Sequence, residues 1–430
     1  MIIGLFAVAG LASGQGLAGN DCPFLACPPF EGAPTYNDNG TIGATPESFS
    51  IIGPPLQAVH ASVERAPTGF AVDPSLNIYL TYPRNSGPTP NNVVIATNFT
   101  GEKPWPNPEI QNCTANQNAS TCFINVQNIV LDPKDPEHVL WAVDSGIQPG
   151  SMTATPYGPK VMSFNLTNNG SLIRSYPIPL PLYHDGMNAN DVRINNSIGT
   201  GGFAFITDES QDGSLVAIDL HSGATVRRLF NTSVVKADPG YVGSYDGQPV
   251  YTWNGTHKSF THTGSDGIAL QSGNLYWGVL ASRRFYYIPQ TVLANFSLSD
   301  QEVLDAVVFL GQLGSEQAGF TADDKGVLYM TASEQNAIYQ VQTLQRYVSE
   351  EVNGTPPGGE GPVAPGNYVV KTLVRSGLIQ HADSAAIWDG YLYFCTNQLE
   401  LSPTFQYKNV DARRGPWYSY RLWIGAGPAI

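Results

Sequence analysis

Short apolar runs of strand length, bounded by turn residues, recur along this chain. The runs recur in pairs. A short apolar phrase is followed by a turn, then by a second apolar phrase with an aromatic near its middle. The first phrases are Gly69–Asp73, Asn128–Asp132, Asp191–Asn195, Gly267–Gln271, Gly319–Asp323 and Ser384–Trp388. The second phrases begin at Asn77, His138, Gly202, Asn274, Gly326 and Gly390. Successive first phrases start 59, 63, 76, 52 and 65 residues apart, near the roughly 50-residue unit of kelch-type repeats. Two strands with one apolar face need a neighbour to cover it. Further strands are predicted at Val161–Asn165, Leu215–Leu220, Phe285–Ile288 and Ala337–Val341, with turn signals such as Asp212-Gly213 and Lys325-Gly326 between strands. Four strands per unit and six units make an all-β, six-bladed β-propeller. A pair of β-sandwiches would not repeat one phrase six times.

Helices are predicted only at Gln290–Asn295 and Asp300–Asp305. The stretch Glu350–Asn367, with four prolines, reads as a surface loop. The expected layout is a signal peptide over 1–14, an extended N-terminal arm over 15–55 and the propeller over 56–430. Arg421–Trp423 is expected to pair with a strand near Ala58–Glu64, because an open blade edge invites aggregation.

Met1–Ala12 is an apolar run shorter than the about 20 residues that span a bilayer, and fits a secretory signal. Sequons at Asn39, Asn98, Asn112, Asn118, Asn165, Asn169, Asn195, Asn231, Asn254, Asn295 and Asn353 agree with secretion. Of the five cysteines, Cys113 and Cys122 flank a polar span and are expected to pair, and Cys22 with Cys27 is a second local option. Cys395 lies in an apolar run and reads as a buried free thiol. A net charge of −14 excludes a phosphate-tracking nucleic-acid surface, and no later stretch predicts a membrane helix. Charged residues are 13% and aromatics 11%, a composition that folds.

Several stretches, in order, resemble the yellow/major royal jelly protein family. They are Tyr82-Pro-Arg84, Trp105–Glu109, Leu140–Gly146, Asn190–Arg193, Phe205–Asp208, Asp266–Leu270, Ser282–Arg284 and Asn397–Leu399. The resemblance runs from about Val59 to Leu422 and implies a secreted six-bladed propeller. It implies no single activity, since members look like dopachrome-converting enzymes, pigment-pathway proteins, amine-binding salivary proteins and storage glycoproteins. The compact chain looks fungal in type. In size and layout it is similar to secreted fungal propellers that catalyse hetero-Diels–Alder cyclisation in tropolone sesquiterpenoid pathways.

In a propeller the innermost strands line a channel, and the loops at one end form a pocket. Polar residues at the edges of the repeated phrases are therefore the candidates. Before or at the first strands these are Asn188, Asn190, Asp191, Asp266, Gln317, His381 and Asp383. After the second strands they are Arg84, Asp144, Asp208, Arg283, Glu334 and Asn397. Asp191, Asp266 and Asp383 could hold a structural Ca²⁺ or Mg²⁺ at the channel mouth. His381 with Asp383, or His262 with Asp266, could form an acid–base pair. Each could equally cap a turn. Trp141, Tyr251, Trp253, Trp277, Tyr407 and Trp417 are candidates to stack on a flat ligand; Trp141 and Trp277 sit in apolar strands and are expected to pack between blades, whereas Tyr251 and Trp253 lie in a polar Gly-rich stretch where exposure is expected. No Gly-x-Ser-x-Gly, Walker or His-Glu-x-x-His motif is present.

The favoured expectation is an enzyme of secondary metabolism that needs no redox cofactor. It would act on an aromatic or quinonoid small molecule by tautomerisation, dehydration or cycloaddition. Arg84, Arg283 or His381 would polarise a carbonyl, Asp266 or Asp383 would move a proton, and Asn190, Asp191, Gln317, Asn397, Tyr251 and Trp253 would bind substrate. The alternatives are a non-catalytic binder of aromatic amines or pigment precursors, and a glycosylated storage protein. The sequence leaves the oligomeric state open.

Overall fold

The computed structural model describes residues 35–36, 42–43, 51–84, 91–113, 117–180, 182–184 and 186–429. The signal peptide, most of the arm, Cys22, Cys27 and Asn39 lie outside them. Six four-stranded antiparallel sheets form a ring. From the channel outward, blade 1 comprises Phe70–Val72, Ile78–Thr81, Val93–Ala96 and Glu102–Pro104. Blade 2 comprises Val126–Leu131, Val139–Asp144, Lys160–Asn165 and Ser171–Pro177; blade 3, Ala189–Asn195, Phe203–Asp208, Ser214–Asp219 and Thr225–Arg228. Blade 4 comprises Ser265–Gln271, Asn274–Val279, Arg284–Pro289 and Val308–Gln312; blade 5, Phe320–Ala322, Val327–Ala332, Ala337–Gln342 and Val370–Arg375. Blade 6 takes Ala382–Trp388, Tyr391–Thr396 and Trp417–Trp423 from the C-terminal end and its outer strand, Gln57–Ser62, from the N-terminal end. The expected ring-closing pair is thus present, with Ala61 opposite Tyr418 and Gln57 opposite Arg421.

Six clusters of buried apolar side chains sit one at each blade interface. Trp141 packs between blades 2 and 3, and Trp277, fully buried, between blades 3 and 4. The turns repeat a chemical device. Asp73, Asp132 and Asp323 end their first strands, and each accepts backbone amides of its own hairpin through Oδ1. The Oδ2 of each takes a donor from the aromatic of the second strand: Tyr79 at 3.0 Å, Trp141 at 2.9 Å and Tyr329 at 2.8 Å. The recurring aromatic is therefore both core and a clamp on its turn.

Near the channel mouth the innermost strands depart from regular pairing. The register slips between Val126 and Asn128, Ala189 and Val192, Ser265 and Ile268, and Ala382 and Ala385. A bulge sends an extra side chain off the ladder, and here it re-aims Gln127, Asn190, Asp266 and Asp383. The equivalent position on the second strands reads Thr81, Val143, Thr207, Val279, Thr331 and Cys395. Thr81 accepts from Gly69 N (2.7 Å) and donates to Gln127 O of the next blade (2.7 Å). Thr207 likewise accepts from Asp191 N (3.1 Å) and donates to Asp266 O (2.7 Å). Cys395 fills the same place in blade 6, its Sγ 3.2 Å from Thr68 O of blade 1, so the buried thiol is a weak hydrogen-bond donor at the ring seam. Cys395→Thr is expected to keep this bond and Cys395→Val to lose it. Their urea midpoints should differ by about 1 kcal/mol of stability in favour of threonine.

Short helices occur at Pro108–Gln111, capped by Asn107, and at Gln290–Leu293 and Asp300–Asp305, the last with a Ser299–Glu302 capping box. Cys113 and Cys122 are joined, Cα atoms 5.2 Å apart. The connection from blade 3 to blade 4, read from sequence as a polar loop, contains two hairpins, Gly243–Tyr245 with Gln248–Val250 and Thr252–Asn254 with His257–Ser259. No sequon asparagine among the described residues is buried. Asn195 differs from the rest because its Nδ2 donates to Gln290, which is itself buried. Glycopeptide mapping of the protein produced through a secretory host should find Asn195 bare and exposed sites such as Asn169 and Asn254 open to glycans.

Candidate functional site

A cavity of about 160 Å³ opens at the end of the channel where the bulges lie. Of the five carboxyl groups that line it, three lie inward. Asp266 and Asp383 come from the bulges of blades 4 and 6, and Glu209 follows the second strand of blade 3. Each is held by one asparagine: Asn190 donates to Asp266, Asn188 to Glu209 (2.8 Å), and Asn397 to Asp383 (2.6 Å). Thr68, Tyr82, Gln127, His381, Leu399 and Trp417 complete the inner wall, and Glu64, Arg65, Asp411 and Arg413 lie at the rim.

Burial and mutual repulsion dominate the electrostatics. Asp266 is pushed well above the carboxylate range by burial, then by Glu209, Asp383 and Asp191. Glu209 rises to about 8 through burial, with Asp383 and Asp208 adding to it. Burial also raises Asp383, against the pull of His381. The three groups therefore share protons at neutral pH. Burial opposes the charged form of His381, but Glu400, Asp383 and Glu316 outweigh it and raise the imidazole to about 9. His381 is fully buried, has a positive φ of 52°, and sits with Nδ1 2.7 Å from Glu400 Oε1.

A carboxyl that titrates higher folded than unfolded binds more protons in the native state. Its stabilising share is complete below about pH 4.3, the unfolded value, and is lost as pH rises through the folded value. For Glu209, facing Asp208, Asp266, Asp383 and His381, the window runs from there to about pH 8. Unfolding free energy should fall with pH across this window. Glu209→Gln should flatten that slope in a series of urea melts.

The structure brings together Asp266, Asp383, His381, Asn190 and Asn397 from the sequence candidates. Asp191 lies deeper in the channel, bound by Arg193 (2.7 Å) and Asn128 (2.6 Å). The acidic trio at the mouth therefore contains Glu209 in place of Asp191. Arg84, Arg283, Gln317, Tyr251 and Trp253 do not line the cavity. Arg84 donates to Ile124 O, and Arg283 is clamped by both oxygens of Glu334 (2.8 and 2.6 Å). Gln317 is buried and turns back onto Ser315 O. Trp253 packs edge-on against Tyr407, and Tyr251 lies under Lys258. His262 is exposed, and Asp266 takes Asn190 as its partner instead. Asp144 and Asp208 are spent on backbone amides and buried side chains. Sequence reasoning missed Glu209, although Phe205-Ile-Thr-Asp208 runs straight into it.

Solved propellers of the same architecture resemble the chain at low identity. A luciferin-regenerating enzyme matches with 10% identity and a TM-score of 0.45, over 86% of this chain and 94% of its own. Virginiamycin B lyase from Staphylococcus aureus matches with 11% and 0.43, over 86% and 99%. The calcium-binding protein regucalcin from Agrobacterium tumefaciens matches with 8% and 0.45, over 87% and 96%. The search of curated proteins gave no match. The major royal jelly protein family profile matches residues 127–356, from blade 2 into blade 5, and the chain belongs to that family.

Proposed function

We propose that this protein is a secreted enzyme that moves protons on a quinonoid or quinone-methide-like small molecule at the channel mouth. The observation that carries this reading is the convergence of three asparagine-held carboxyls, Glu209, Asp266 and Asp383, on one small cavity walled by Tyr82 and Trp417. A carboxylic acid kept neutral by its site can donate to a carbonyl or hydroxyl oxygen, and an ionised neighbour can accept a proton from carbon. Tautomerisation and dehydration need both acts and transfer no electrons, so they require no redox cofactor. The space of about 160 Å³ suits one compact ring system. Dehydration of a hydroxymethyl ring there would yield a quinone methide, and an unsaturated partner approaching from the open rim would make a cycloaddition the following step. Secretion is supported by the apolar Met1–Ala12 run, the exposed sequons and the Cys113–Cys122 bond.

A second reading is a binder of cationic aromatic amines. The excess of carboxyl groups over basic groups around the mouth favours it. Incubation with dopachrome, biogenic amines, and a hydroxymethyl-tropolone plus a cyclic polyene, read by mass spectrometry and thermal shift, separates the two. Product above the spontaneous rate supports the enzyme. A thermal shift with amines and no product supports the binder.

A further inference from the structure

Beside the cavity, on its buried side, lies a cluster that the acid–base chemistry of the mouth does not use. Glu316 comes from the connection between blades 4 and 5, His381 from the residue before blade 6, and Glu400 from the short 3-10 turn Leu399–Leu401. They are 8%, 0% and 3% exposed. One ligand-type atom from each lies within 4.8 Å of the others.

The groups facing this cluster do not neutralise it. Arg283, a guanidinium within the field of Glu316, is engaged by both oxygens of Glu334. Glu316 receives Tyr241 (3.2 Å) and Ser333 (3.1 Å), and its carboxyl also lies within hydrogen-bond reach of that of Glu400. Glu316 and Glu400 lie close enough for each to act on the other's ionisation. Three buried polar atoms find no protein partner: Nε2 of His381, Oε2 of Glu400 and the hydroxyl of Tyr245. Tyr245 is 6% exposed and lies within the field of Glu400, which together with burial raises its phenol. Two carboxyl groups and an imidazole, shut away with unpartnered polar atoms, are costly unless a cation or shared protons sit among them.

We propose that Glu316, His381 and Glu400 bind a divalent first-row metal ion of the zinc or manganese type. One imidazole nitrogen with two carboxylate oxygens is a donor set these ions take, whereas calcium takes oxygen alone. Tyr241 and Ser333 orient Glu316 as an outer shell, and His381, which also lines the cavity, gives the ion a way in. Neither Asp266 nor Glu209 is a ligand, so the metal site stands or falls apart from the proton-transfer reading.

The test uses the full-length secreted protein, stripped with a chelator and titrated with Zn²⁺ and Co²⁺. Elemental analysis should find one equivalent retained per chain, with a raised melting temperature and visible d–d bands for the Co²⁺ form. Glu316→Gln and Glu400→Gln should abolish retention, and Tyr241→Phe should weaken it by about 10–100-fold. No retention by the wild type, or equal retention in the Gln variants, overturns the site and leaves the cluster held by protons. Should the Gln variants fail to fold, the Co²⁺ spectrum of the wild type and the Tyr241→Phe shift decide in the same way.

Discussion

Asp266→Asn should lower turnover of any substrate the protein converts by about 10²–10⁴-fold, with KM nearly unchanged, because the amide keeps the shape of the carboxyl but cannot pass a proton. The site makes this a demanding test. Asp266 is 4% exposed, is already held by Asn190, and lies on a bulge whose backbone is pinned by Thr207. The variant should therefore fold and melt close to the wild type. Its pH–rate profile should lose the limb that reports the carboxyl in the wild type, and Glu209→Gln should lose activity on the same substrate. A variant with unchanged kcat on every converted substrate would remove Asp266 from the chemistry.

The largest expected loss of stability lies elsewhere, at Asp144→Ala in blade 2. Asp144 accepts Ile124 N, Asn125 N and Gly146 N at 2.8–2.9 Å and Lys160 Nζ at 2.7 Å, and both charged side chains are fully buried. Burial drives the lysine towards its neutral form, and Asp144 is what opposes this. Truncation strands a buried ammonium and three amides, a loss of about 3–5 kcal/mol or more. Adding Lys160→Met to Asp144→Ala should recover part of that loss, because the stranded charge disappears with its partner. Urea midpoints of the two single variants and the double measure this coupling. Strictly additive losses would mean that the pair contributes nothing as a pair.

What the sequence showed and what it hid follow from how each feature is encoded. The six phrases were legible because each is a short apolar run between turn residues, repeated six times, and the closing pair because a ring of blades leaves two unmatched edges. Trp141 and Trp277 were legible as core from their apolar neighbours. The bulges were not, since a slip of register is a relation between two paired strands and leaves no mark in either run alone. They are what turn Asn190, Asp266 and Asp383 toward one cavity. Arg283 looked available because its partner, Glu334, lies 51 residues away and approaches only in the folded ring. The cluster of Glu316, His381 and Glu400 was hidden for the same reason, being assembled from connections whose sequences carry no period. The alternation of Thr81, Val143, Thr207, Val279, Thr331 and Cys395 was visible in the aligned phrases. Its meaning came only with the hydrogen bonds from one blade to the next.

The sixth blade joins a strand made early in translation to strands made last. Until Trp417–Trp423 has left the ribosome, Gln57–Ser62 has no strand to pair with and the other blades stand as an open arc with an apolar face at each end. Closure is thus a late, non-local event for the nascent chain. The finished ring behaves as a clasp: Gln57 lies opposite Arg421, so the chain leaves the closing pair at one end of it and pulling the two sides apart there would unzip the pair, whereas a nick within any one blade leaves both ends tied. A truncation before residue 417 would do more than shorten the protein, because it would leave the N-terminal strand and the seam around Cys395 without the partners that hold the circle shut.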